Sequence, residues 1–170
     1  MSAVLAALVE QAQAGDADAF TVLVEGHWER LVRFARSIVG DVEAEDAAQE
    51  GLVAAWRALP ALAEPAAFSA WVTRIVSRCC LRRARRSARW LPLELVPEPA
   101  AEADPSDDLD VAAILRRLAP RQRAVLHLTV IDGMTDGEIG AALGISPASV
   151  RAHRRRARES VGRLLRRREQ

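Results

Sequence analysis

The stretch from Thr135 to Arg158, TDGEIGAALGISPASVRAHRRRAR, constrains this chain more than any other. Its spacing predicts two short helices joined by a tight turn. Thr135 is a hydroxyl residue at a helix start with Glu138 three residues on, a pattern in which each side chain satisfies the other's free backbone donor. Ile139, Ala142 and Leu143 give the first helix an apolar side. Gly144 ends it, where a left-handed residue is needed and glycine costs least. Ser146 caps the second helix, Pro147 takes its first position, and Val150 points back at the first helix. Gly140, four residues before Gly144, is small where the two helices would cross. The second helix then carries Arg151, Arg154, Arg155, Arg156 and Arg158. Such a helix suits the major groove of DNA, with its N-terminal side chains reaching base edges. The alternative is a helical hairpin with a solvated basic face; cap, turn, anchor and arginines together favour DNA binding.

At 170 residues the chain has room for one domain or two small ones, and with half of it hydrophobic it can bury a core. Tyr is absent, Gly and Pro are sparse, and no alternating β-branched runs occur, so an all-α fold is expected. Net charge is only +1, but it is unevenly spread. All 24 basic residues are arginine. Seven lie between Arg74 and Arg89 with no acid among them, and nine between Arg151 and Arg168 with Glu159 the only acid. Residues 94 to 110 hold seven acids and no base. Two basic blocks about an acidic spacer imply two polyanion-binding surfaces. Cys79 and Cys80 are adjacent, which is not zinc-ligand spacing, and the three histidines are scattered; the cysteines are expected in or near the core, with no metal or cofactor. The N-terminus lacks a signal-peptide pattern and no apolar run approaches a membrane span, so a cytoplasmic protein is expected.

In chain order, residues 1–14 form a short helix with Val4, Leu5, Leu8 and Ala12 on one side. A second begins near Asp16 or Asp18 and carries Phe20, Leu23, Val24, His27, Leu31, Phe34, Ala35 and Ile38 at steps of three and four. Asp41 can cap a third, DVEAEDAAQEGLVAAWRAL, whose early acids suit the helix dipole. Its Ala44, Ala48, Leu52, Ala55 and Leu59 can face a core. Asp46, Gln49, Glu50, Val53, Trp56 and Arg57 make the other stripe, a partner-binding surface or a half-buried Trp among charges. Residues 60–65 form a loop. A fourth helix has Phe68, Trp71, Val72, Ile75, Val76 and Cys79 on one side. Ser69, Thr73, Ser77, Arg78, Arg82, Arg85 and Arg89 lie opposite, a face that fits a nucleic-acid groove with Trp71 and Trp90 near for stacking. The acidic, proline-bearing segment 91–107 reads as an extended linker. Ser106 or Asp107 caps a further helix with Leu109, Ala112, Ala113 and Leu118 for packing, and Pro120 opens another that ends at Gly133.

This order of parts resembles the extracytoplasmic-function group of bacterial sigma factors, over roughly residues 16–165. EAEDAAQEGLVAAWRAL is similar to the helix that docks on the polymerase clamp, FSAWVTRIVSRCCLRRARRSAR to the helix that melts and reads the −10 element, and LAPRQRAVLHLTVIDGMTDGEIGAALGISPASVRAHRRRAR to the domain that reads the −35 element. The resemblance implies two small helical domains, 1–90 and 108–170, joined by the linker at 91–107. It implies that Asp46, Gln49, Glu50, Val53 and Trp56 contact core RNA polymerase. Arg78, Arg82, Arg83, Arg85 and Arg86 would hold the −10 strand, with the loop before Phe68 near any flipped base. Ser146, Ser149, Arg151, Arg154 and Arg155 would lie in or beside the −35 groove. Core polymerase, promoter DNA and an anti-sigma protein are the implied partners, with no enzymatic chemistry. Three departures matter. Gly140 stands where alanine is commoner in the family, which is expected to loosen the first helix of the motif by up to about 1 kcal/mol. Ser77 to Arg82 stand where the family often has Asn and then Asp. Arg154 stands where many members are apolar, so it either touches DNA or lies over the helix junction. Two other functions stay open on sequence grounds: a stand-alone helix-turn-helix regulator, which leaves the first ninety residues unexplained, and a polymerase-binding adaptor that reads no promoter.

Overall fold

The computed structural model describes residues 3–90 and 111–166, and among them all regular structure is helical. Eight α-helices run α1 Ala3–Gln13, α2 Ala17–Val39, α3 Asp41–Ala58, α4 Phe68–Trp90, α5 Val111–Arg116, α6 Pro120–Val130, α7 Asp136–Leu143 and α8 Pro147–Arg166. Two 3-10 turns, Leu59–Ala61 and Pro65–Ala67, replace the plain loop expected between α3 and α4. The linker at 91–107, its Ser106 or Asp107 cap, and the side chains of Trp90, Leu109, Ala112 and Ala113 lie outside the described residues.

Helices α2, α3 and α4 pack as a bundle, with α1 across one end. Asp16 starts α2, its carboxylate accepting from the amides of Asp18 (2.9 Å) and Ala19 (3.1 Å). The expected stripe is buried at Leu23, Leu31, Phe34, Ala35 and Ile38, and half-buried at Phe20, Val24 and His27. Of the five residues expected inside, Ala44, Ala48, Leu52 and Ala55 of α3 and Leu59 of the turn after it are all buried, and Ala47 and Gly51 join them. Gly51 is where α3 and α4 cross: a β-carbon there would lie 2.8 Å from the Val76 backbone.

Several local expectations are corrected. Asp41 does not cap α3; Gly40 holds that position and Asp41 instead pairs with Arg36 at 2.9 Å. Val4 is exposed, and Val9 takes the buried place on α1, because the contact stripe is centred one residue round the helix. Thr73 and Ser77, expected on an open face of α4, are 2% and 0% exposed. The reason is tertiary: Arg30 of α2 donates to the Thr73 hydroxyl, and α6 and α7 pack on α4 as well.

That packing joins the two segments of the chain. Ala124, Val125 and Leu128 of α6, Ile139, Ala142 and Leu143 of α7, and Val150 of α8 belong to the same apolar cluster as the α2–α4 core. His127 stacks edge-on against Phe34 at 5.4 Å between ring centres. Arg123 donates to the Ile38 carbonyl at 2.7 Å. Arg30 of α2 reaches both the Thr73 hydroxyl (2.6 Å) and the Asp132 carboxylate (3.0 Å), the latter only 5% exposed. Burying a carboxylate so far is tolerable only because it is paired.

Candidate nucleic-acid interface

The helix-turn-helix forms as its residues dictate. The Thr135 amide donates to Glu138 Oε2 (2.8 Å), and the Glu138 amide donates to the Thr135 hydroxyl (3.3 Å). Those bonds favour the ionised Glu138, lowering its pKa. Gly144 sits at φ 65°, in the left-handed region. Gly140 is forced to be glycine by the turn, since a β-carbon would lie 2.7 Å from the Ile145 carbonyl oxygen. Ser146 accepts from the Ser149 amide (3.1 Å), opening α8, and Val150 is fully buried against α7.

On α8, Ser146, Arg151 and Arg155 are exposed, and Ser149 and Arg154 are half-buried. Arg154 is gripped by both oxygens of Asp136, at 2.6 and 3.3 Å. Arg151 approaches the same carboxylate at 3.6 Å. Asp136, the first residue of α7, was not singled out from the sequence. Its partner lies eighteen residues away on another helix, so no local pattern marks it. Arg155 lies 3.7 Å from Glu159 one turn on, an exposed pair of little energetic weight.

The arginines of α4 fall into two sets. Arg78, Arg85 and Arg86 are exposed. Arg82 and Arg83 reach across to α3: Arg82 bonds Glu50 at 2.6 Å, and Arg83 bonds Glu43 and approaches Glu50 (3.7 Å) and Asp46 (3.9 Å). These hydrogen bonds, with Glu50 first for Arg82 and Glu43 first for Arg83, raise both guanidinium pKa values. The structure thus brings two of the sequence-derived DNA-binding residues into contact with two of the polymerase-binding ones. On α3, Asp46, Gln49, Glu50 and Val53 are exposed, while Trp56 is half-buried and packs against Phe20 with ring centres 5.0 Å apart and planes tilted by 57°. Cys79 and Cys80 are free and buried, and burial pushes the Cys80 thiol up to about 12. Among the described residues no group of three or more potential ligands could hold a metal ion, and no helix is long and apolar enough to cross a membrane.

A helix-turn-helix with an arginine-bearing recognition helix, set beside a second arginine helix, defines a helical DNA-binding protein. Residues 23–90 match the family described as Sigma-70 region 2, and residues 108–161 the family described as Sigma-70, region 4. The chain is 34% identical over 156 residues to the ECF RNA polymerase sigma factor SigM of Mycobacterium tuberculosis, covering 89% of this chain and 80% of that one. It is 34% identical over 176 residues to the RNA polymerase sigma factor CnrH of Cupriavidus metallidurans, covering 93% and 92%. The structure of CnrH in complex with the cytosolic domain of CnrY superposes with a TM-score of 0.68 over 93% of this chain and 94% of that one. The chain belongs to the extracytoplasmic-function RNA polymerase sigma factors, the alternative sigma factors that direct transcription initiation.

Proposed function

We propose that this sigma factor divides its work between residues 1–90, which take core polymerase and the −10 element, and residues 108–170, which take the −35 element, with 91–107 as the linker. The observation that carries the reading is the start of α8, where Ser146, Arg151 and Arg155 stand exposed at the end of a helix fixed by Gly140, Gly144 and Val150. Each arginine that pairs bidentately with a guanine there contributes about 1–3 kcal/mol of discrimination. Arg154 plays a supporting part: with both Asp136 oxygens on its guanidinium, it braces α8 against α7 rather than reading a base. Asp46, Gln49, Glu50, Val53 and Trp56 dock on core polymerase. Arg78, Arg82, Arg83, Arg85 and Arg86 hold the −10 strand. The protein works in the cytoplasm, by binding alone and with no chemical step of its own. CnrH is seen with the cytosolic domain of CnrY, and the sigma factor RpoE of Bartonella quintana with the anti-sigma factor NepR; by likeness, an anti-sigma protein holds this chain inactive.

The test is transcription by purified core polymerase plus this chain on a genomic promoter library, with start sites mapped. Starts clustered below one shared pair of elements are expected, and Arg151→Ala with Arg155→Ala should abolish the clustering. Polymerase binding without new starts would instead favour an adaptor, and specific duplex binding without polymerase a stand-alone regulator.

A further inference from the structure

Four arginines of α4 meet the helix-turn-helix across a cleft of about 470 Å³. Arg78, Arg82, Arg85 and Arg86 line one wall, with Arg121 of α6 and the Gly144 turn facing them. Among the described residues no carboxylate lines the cleft, and of the five guanidiniums there Arg82 is the one paired with an acid, Glu50. A guanidinium nitrogen of Arg78 lies 3.3 Å from where a β-carbon on Gly144 would stand, so the two sides meet there. The Nε of Arg121 is buried and has no hydrogen-bond partner among the described residues. The positive field extends to α8: burial, then Arg121 and Arg156, hold His153 below its ordinary pKa. Like charges gathered on a concave wall repel one another and focus a potential that only an anion relieves.

We propose that this cleft is a binding site for a compact, multiply charged phosphate anion, a di- or triphosphate group, bridging α4 to α6. Guanidiniums suit this ligand because each can offer two parallel N–H donors to phosphate oxygens. A continuous DNA strand would have to part the Gly144 turn from Arg78, whereas a short anion need not. Its ligands come from both segments of the chain, so the anion stabilises the arrangement it binds. It also competes with the −10 strand for Arg78, Arg85 and Arg86; that consequence rests on the function proposed above, the binding itself does not.

The experiment is calorimetric titration of the full chain with sodium tripolyphosphate, with sulfate at matched ionic strength as the charge control. One site is expected. Arg121→Ala, outside both sets of DNA-binding residues, should weaken it about tenfold, the scale of one charge-assisted bidentate contact. Arg85→Ala, on the exposed side, serves as a second variant that disturbs no buried group and should weaken it likewise. Arg163→Ala, at the far end of α8, should change nothing. Equal affinity in Arg121→Ala and the parent would overturn the proposal. So would an equal fall in Arg121→Ala and Arg163→Ala, which means general attraction only. So too would an Arg121→Ala loss for a −10 single strand as large as that for tripolyphosphate, which makes the cleft part of the DNA path. Failure of the parent to direct promoter-specific starts would count against the sigma mechanism and leave the anion result standing.

Discussion

At the scale of single residues, the close approaches are the most exacting. Gly51→Val places branched carbons where a first β-carbon already meets the Val76 backbone at 2.8 Å. Overpacking of this kind typically costs about 1–3 kcal/mol, and the variant should unfold at a lower urea midpoint with an unchanged slope. Thr135→Ala removes the cap on the Glu138 amide and should cost about 1 kcal/mol in the same measurement. The second of these sites was legible in the sequence, because a capping box is a local pattern. Gly51 was not, since a glycine in an alanine-rich helix gives no sign of which helix will cross it. Asp136, Arg30 and Asp132 were hidden for the same reason: each is defined by a partner on a different helix.

At the scale of elements, the eight helices follow from periodicity, caps and glycine stops, and their faces follow wherever one neighbour decides them. The faces of α3 were legible because one stripe is alanine and leucine and the other is charged. The face of α4 was misjudged at Thr73 and Ser77 because both of its sides are covered, and small hydroxyl residues do not declare which side they serve. In α8 the division of labour among arginines predicts a specific asymmetry. Arg155→Ala should remove promoter-specific binding while leaving thermal stability nearly unchanged, because Arg155 is exposed and its ion pair with Glu159 is weak. Asp136→Ala should do the reverse, lowering the melting temperature by releasing the half-buried Arg154 from its bidentate partner. Parallel melting curves of the free chain, and footprints of the chain with core polymerase on a promoter duplex, separate the two.

At the scale of the whole molecule, a core shared between the α1–α4 and α6–α8 segments predicts one cooperative unfolding transition, not two. Coincident urea curves by far-ultraviolet circular dichroism and tryptophan fluorescence check this. Every tryptophan lies at or before residue 90, so fluorescence reports the first segment alone. The shared core also sets a pH dependence. Burial holds His27, His127 and His153 below their ordinary pKa, with a Leu23 carbonyl partly offsetting this for His27 and Asp132 for His127. Groups of this kind stay neutral in the folded chain while the unfolded chain takes up protons below about pH 6.5. Stability should therefore fall as pH drops through that value, and His127→Gln should flatten part of the slope in a melting series from pH 7.5 downward. None of this was legible in the sequence, which placed two basic blocks on either side of an acidic spacer without saying that they would face one another.

The carboxylates of α3 that hold Arg82 and Arg83 in the free chain, and the Asp136 that holds Arg154, bear on how such a protein survives in a cell full of DNA it must ignore. A chromosome is a vast decoy, and a chain with 24 arginines would be absorbed by it if every one were free to displace counterions. Non-specific attraction grows with the number of phosphates neutralised, at about 0.9 of a logarithmic unit of salt dependence for each. Side chains already engaged with their own acids drop out of that count, so the unaccompanied protein should bind random duplex with a salt dependence much shallower than its arginine content suggests, and remain free to find polymerase first.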